Sequence, residues 1–168
     1  LEAALGDTGL ENLSKAIEAE PQRADLYANR AQMWYDKNNF DNAIMDLRNA
    51  LVLDSTNIDY HYLLTDVYLD YYQSRLALKT IQRAVKLDPK NIESLLTQAE
   101  VQLILQQFED AIYSLNEVIG IDPRNPDAYL LLGQTFAETG DTARAINSTQ
   151  EAVEIDPEIG RASCRERV

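Results

Sequence analysis

The sequence predicts an all-α fold, a solenoid of antiparallel helix hairpins with a 34-residue repeat, and three observations carry that expectation. Asp88-Pro89, Asp122-Pro123 and Asp156-Pro157 fall 34 residues apart, and the same step backwards lands on Asp54-Ser55 and Glu20-Pro21. Between these breaks, apolar residues recur at helical spacing in two stripes. Each full second stripe opens on alanine: Ala43, Ala77, Ala111 and Ala145. A segment that cannot bury its own apolar face repeats because each copy completes its neighbour's core.

Residues 1–23 hold the second half of an earlier unit, with Leu13, Ala16 and Pro21 in phase and one helix expected near 8–19. Four full units follow at 24–57, 58–91, 92–125 and 126–159, so that 1–159 reads as one domain. In the first helix of each unit the stripes are Tyr27, Ala31, Trp34; His61, Thr65, Tyr68; Leu95, Ala99, Gln102; and Tyr129, Gly133, Phe136. The second helices carry Ala43, Leu47, Ala50; Ala77, Ile81, Ala84; Ala111, Leu115, Val118; and Ala145, Thr149, Ala152. Small residues at Ala31, Thr65, Ala99 and Gly133 are expected to face the alanines where two helices cross closely, since a large side chain there would overpack the crossing.

The breaks are as regular as the stripes. Asn38-Asn39 and Gly140-Asp141 read as tight turns that use the left-handed conformation, while Tyr71-Tyr72 stands where such a turn is unusual. Pro89, Pro123 and Pro157 end their hairpins because proline restricts the residue before it and cannot donate a helical hydrogen bond, while the first full unit has Ser55 in that place. Asn57, Asn91 and Asn125 then stand as caps or turn residues. Helices are accordingly expected at 24–37, 40–53, 58–71, 74–87, 92–105, 108–121, 126–139 and 142–155.

With 15 Lys+Arg against 28 Asp+Glu, the net charge of -13 repels nucleic acid and anionic lipid and favours basic partners, although plain solubility explains an acidic bias equally well. No apolar run approaches the ~18–20 residues of a membrane span. Chemistry is nearly absent. The single histidine, His61, sits between helices, and the single cysteine, Cys164, lies among Arg161, Arg165 and Arg167 in a segment, 160–168, that abandons the pattern as a tail or truncated helix would. Asp66 and Asp70 share a helix face, but the carboxylates have neither the ligand number nor the loop spacing of a metal site. No phosphate-binding glycine loop occurs, and no cofactor and no catalysis are expected. The start at Leu1 suits a fragment or a processed protein, and nothing assigns a compartment.

These features resemble the tetratricopeptide repeat, whose pattern is followed most closely by Tyr129, Leu132, Gly133, Phe136, Ala145 and Pro157. The resemblance covers residues 8–159 and implies a right-handed superhelix whose first helices line a concave groove for a peptide or extended segment of a partner protein. One subfamily clamps an acidic C-terminus with Lys and Asn. Asn29 matches the clamp asparagine, but Asp59 and Leu63 stand where basic residues are needed, so Asn29 is read as a hairpin or inter-repeat contact.

Family geometry puts the following residues in the groove: Gln32, Tyr35 and Asp36; Asp59, Tyr62, Asp66 and Asp70; Glu93, Leu96, Glu100 and Leu103; and Asp127, Leu130, Gln134 and Glu138. None is basic, which fits a basic or mixed basic-apolar peptide. Two alternatives stand beside this scaffold or adaptor role: self-assembly as a homo-oligomer through terminal helices, and a helper domain of a larger enzyme. Of the nine tyrosines, Tyr35 and Tyr62 are the surface candidates, while Tyr27, Tyr68, Tyr129 and Trp34 are assigned to the core.

Overall fold

A computed structural model describes residues 2–159, with side chains from Thr8 onward. The segment 160–168, with Cys164 and its three arginines, lies outside the described residues. Nine helices occur among the described residues: α1 (Glu2–Ala19), α2 (Ala24–Asp36), α3 (Phe40–Leu53), α4 (Ile58–Asp70), α5 (Ser74–Leu87), α6 (Ile92–Ile104), α7 (Phe108–Ile121), α8 (Pro126–Glu138) and α9 (Thr142–Ile155). The chain divides into two compact units, Leu1–Leu87 and Asp88–Val168. Both are all-α solenoid segments of paired antiparallel helices. In each, a first helix packs most extensively on the second helix of its own hairpin (α2 on α3, α4 on α5, α6 on α7, α8 on α9). It then packs on the second helix of the hairpin before, as α4 does on α3 and α8 on α7.

The close crossing is where the sequence pattern puts it. Ala31, Thr65 and Ala99 are fully buried, as are Ala43, Ala77 and Ala111. In the last hairpin a Cβ on Gly133 would collide with Thr149 Oγ1 and lie 3.2 Å from the Ala145 carbonyl, so a larger residue there needs Thr149 to turn aside. Leu47, Ile81, Leu95 and Leu115 fill the space beside these crossings with no exposed surface. Trp34, Tyr27 and Tyr129 depart from expectation and stay partly exposed, the two tyrosines keeping their hydroxyls at the junctions, whereas Tyr68, Gln102 and Phe136 at the position of Trp34 are buried.

Two boundaries also differ from expectation. The helix α1 begins at Glu2, and every first helix stops one residue early. Residue fifteen of each unit takes the left-handed conformation: Asn38 (φ 57°), Tyr72 (φ 57°), Gln106 (φ 58°) and Gly140 (φ 80°). The helix must release the chain one position before it. Asn38 and Gly140 announce this chemically; Tyr72 and Gln106 do not. Tyr72 is 94% exposed, so no packing offsets its strain.

The junctions between hairpins are hydrogen-bonded in series. The Asp88, Asp122 and Asp156 carboxylates each accept the backbone N–H two residues on, at 2.9–3.1 Å, and Asp54 does so at 3.3 Å. These Asx turns explain the aspartate before each proline. Asn57, Asn91 and Asn125 cap α4, α6 and α8 by accepting from the N–H of Tyr60, Ser94 and Ala128. A third bond crosses three of the junctions from the fourth position of the first helix. The Tyr27 hydroxyl donates to the Pro21 carbonyl (3.2 Å), Tyr129 to Pro123 (3.3 Å), and His61 Nε2 to Ser55 (3.1 Å). His61 is therefore a buried junction clamp with its proton on Nε2, while Nδ1 has no partner. Leu95, at the same position, has no group to donate.

Each hairpin also carries a pair at its seventh and twenty-third positions. In the first it is ionic: Arg30 Nε and Nη2 donate to both oxygens of the fully buried Asp46 at 2.7 and 2.8 Å, and Nη1 donates to Ser14 of α1 at 3.1 Å. The pair becomes Leu64 and Thr80 in the second hairpin and Leu132 and Ser148 in the fourth. In the third, Gln98 donates to the Ser114 hydroxyl, which donates to Gln102 Oε1, both at 2.9 Å. Arg30, not Asn29, thus makes a polar contact to the helix before it; Asn29 is exposed.

Two outcomes follow. Arg30→Leu alone strands a buried carboxylate and lowers unfolding free energy by about 3 kcal/mol, whereas Arg30→Leu/Asp46→Thr, which copies the second hairpin, regains most of it. Chemical denaturation of the wild type, the two single variants and the double reads the coupling. Tyr72→Gly relieves left-handed strain at an exposed site and raises stability by about 0.5–1 kcal/mol, visible as a higher melting temperature.

Candidate functional site

The residues expected in the groove fall on two pairs of first helices. In the first unit α2 and α4 touch directly. Gln32 Nε2 donates to Asp36 Oδ1 at 2.8 Å along α2, and the Tyr35 hydroxyl crosses to Asp70 Oδ2 of α4 at 2.6 Å. Asp59, Asp66 and Asp70 are exposed on α4, with Tyr62 half-buried among them. The field is negative enough to act on tyrosines. Burial first, then the Asp70 hydrogen bond and the charges of Asp70, Asp66 and Asp36, push the Tyr35 phenol above its ordinary pKa. Burial, followed by Asp25, Asp54 and Asp59, does the same to Tyr60. An aromatic row backs Tyr35: Phe40 lies 6.2 Å from it, and Tyr71 stacks on Phe40 at 5.3 Å between ring centroids. Tyr71, expected to crowd an awkward turn, finds its place in that row. Phe40 went unnoticed because it follows a turn and lies outside both stripes.

In the second unit the facing helices are α6 and α8, which also touch. Two cavities lie on them. One of about 520 Å³ is lined by Glu93, Leu96, Glu100, Asp127 and Leu130, with Ile92, Thr97, Asn125 and Leu131. The other, about 500 Å³, is lined by Glu100, Leu103, Gln134 and Glu138, with Ile104, Gln106, Phe108 and Leu131. All eight groove positions expected in this unit line one or both. The leucines are half-buried and the acids exposed, so the surface is apolar at its floor and negative at its rim. Neither cavity has a Lys or Arg in its wall. Glu93 and Asp127 stand in the first turns of α6 and α8, where the helix dipole favours a negative charge. Leu131 and Phe108 were missed: Leu131 falls one place beyond the family's groove positions, and Phe108 opens a second helix.

A third hollow of about 980 Å³ lies between α8 and α9, lined by Leu130, Gly133, Ala137, Ala145, Ile146, Thr149 and Val153, with Gln134, Glu138, Gln150 and Glu154. Within the units, the equivalent seat on α2–α3 is taken by α4 and that on α6–α7 by α8. Such surfaces can hold an extended chain or a helix by apolar contact and charge. No residue set on them joins a nucleophile to a base, and the described residues include no cluster of three potential metal ligands.

Comparison with known proteins agrees with this geometry. Tetratricopeptide repeat models match residues 3–58, 100–140 and 126–159, and a model of anaphase-promoting complex, cyclosome, subunit 3 matches residues 36–118. No curated protein matches the sequence significantly. Among solved structures, MamA superposes with a TM-score of 0.81 at 20% identity, covering 93% of this chain and 91% of its own. MamA from Desulfovibrio magneticus RS-1 gives 0.80 at 16% identity, covering 92% and 87%. YrrB, described as a TPR protein with an unusual peptide-binding site, gives 0.80 at 23% identity, covering 99% and 86%. These likenesses concern the fold, and with the repeat models, the period and the small-residue crossing in agreement, the chain belongs to the tetratricopeptide repeat family.

Proposed function

We propose that this chain is a non-enzymatic protein-interaction module whose first helices hold a basic or mixed basic-apolar segment of a partner protein. The observation that carries this reading is the lining of the cavities on α6 and α8, where half-buried leucines alternate with Glu93, Glu100, Asp127 and Glu138 and no cation intervenes. On α2 and α4 the same sorting recurs around Tyr35 and Tyr62. Lysine and arginine stems fit the leucine floor while their charges meet the rim. The peptide-binding site named for YrrB supports the general role.

A labelled Leu/Lys/Arg peptide library, read by fluorescence polarisation at low and moderate salt, tests it. Glu93→Gln/Asp127→Asn/Glu138→Gln is expected to weaken the best peptide by about tenfold, or about 1.4 kcal/mol, and moderate salt should weaken the wild type likewise. Equal affinity for the triple variant sinks the reading.

A second reading, stacking between copies, rests on the α8–α9 hollow, where Ile146 and Val153 stand 53% and 42% exposed. Light-scattering mass against concentration decides it. Growth beyond 19 kDa that is insensitive to salt and abolished by Ile146→Lys/Val153→Lys supports stacking, and a monomer at all concentrations removes it.

A further inference from the structure

The helix α5 is cationic in an acidic protein. Its fourteen residues contain Arg75, Lys79, Arg83 and Lys86 and no aspartate or glutamate. All four are exposed, and none forms an ion pair among the described residues. At 100° per residue they fall within an arc of about 80°, and at 1.5 Å rise they run about 16 Å along the helix. They form one stripe.

The fold does not ask for it. At the same four positions α3 carries Asp41, Met45, Asn49 and Val52; α7 two glutamates, a tyrosine and a glycine; and α9 two glutamates, an alanine and an asparagine. The stripe also works against its own helix. Arg75 sits in the first turn, where the dipole disfavours a cation and where α3 and α7 place acids. Arg75, Lys79 and Arg83 stand at successive i, i+4 spacings, which set like charges side by side. Lys86, in the last turn, suits the helix dipole, but Arg75, Lys79 and Arg83 are held against local preference, and all four stand where the other repeats are neutral or acidic, so that an opposite charge from outside the chain would offset them.

We propose that the α5 stripe is a second docking surface, of opposite sign to the face of the first helices, and that it takes an acidic segment of a partner protein. Carboxylates every fourth residue of a helix, or every second residue of an extended chain, repeat at about 6–7 Å and match the cations. A charge of -13 spread over the chain opposes approach to a membrane or a nucleic acid, which are large polyanions. A short acidic segment bears few charges, and beyond a screening length of about 8 Å it meets little of that repulsion.

The test uses the full chain and a fluorescein-labelled alanine-based helical peptide with four glutamates at i, i+4 spacing, beside its glutamine counterpart. Polarisation at 20 mM salt should show binding of the glutamate peptide alone. It should weaken at least tenfold in Lys79→Gln/Arg83→Gln, and likewise in Arg75→Gln/Lys86→Gln, with the far-ultraviolet spectrum unchanged in both. No binding at low salt, or binding by the variants as tight as that of the wild type, overturns the proposal. Phosphatidylserine vesicles that bind where the peptide does not would replace it with a lipid surface. A mass increase at low salt that the same variants abolish, without peptide binding, would replace it with a second copy of this chain.

Discussion

The closeness of the two helices within each hairpin is the constraint on which everything else rests. Ala31 with Ala43, and their counterparts Thr65 and Ala77, Ala99 and Ala111, Gly133 and Ala145, keep small, buried residues at the crossing. Because the helices touch there, the leucines and isoleucine beside them are sealed from water. Because that core is filled locally, each first helix is free to present its opposite side to a ligand. Burial per residue is worth about 25 cal/mol per Å² of apolar surface, so many modest contacts, repeated, take the place of one large core.

Much of the architecture was legible in the sequence because it is periodic. Eight second-half and first-half helices came within one residue of their observed ends, and the exception in each first helix has one cause: the left-handed residue at position fifteen. Gly140 and Asn38 disclose that geometry through their chemistry, whereas Tyr72 and Gln106 disclose it only by alignment with them. Burial of Asp46 was not legible, since an aspartate on an amphipathic helix ordinarily faces water; only its partner Arg30, sixteen residues earlier, makes its burial tolerable. For the site, period and family geometry sufficed to collect Glu93, Leu96, Asp127 and Leu130 on facing helices, because backbone position alone determines which residues face one another. Phe40 and Phe108 escaped, because they join the surface from the turn side. The α5 cations escaped the sequence reading, because a stripe of like charge is distinguished from a paired one only by exposure and by the absence of ion pairs.

Charge in this molecule is sorted by helix. First helices α4, α6 and α8 carry acids on their outward positions, α5 carries cations, and the one fully buried carboxylate among the described residues, Asp46, is neutralised by a bidentate guanidinium. An even scatter would have served solubility as well and with less internal repulsion. Sorting gives neighbouring surfaces distinct electrostatic preferences while the repeats beneath them remain alike.

The variable pair inside the hairpins has a consequence for how such a chain finds its fold. Repeats of similar shape invite docking in the wrong order, since any second helix offers an alanine crossing to any first helix. Arg30 with Asp46 acts as an address that Leu64 with Thr80, Gln98 with Ser114 and Leu132 with Ser148 do not share. Were α3 to receive α4 as its hairpin mate, Asp46 would be buried against Leu64 and its charge left bare, at a cost of several kcal/mol. At that hairpin the wrong mate is penalised at the seventh position of its helix.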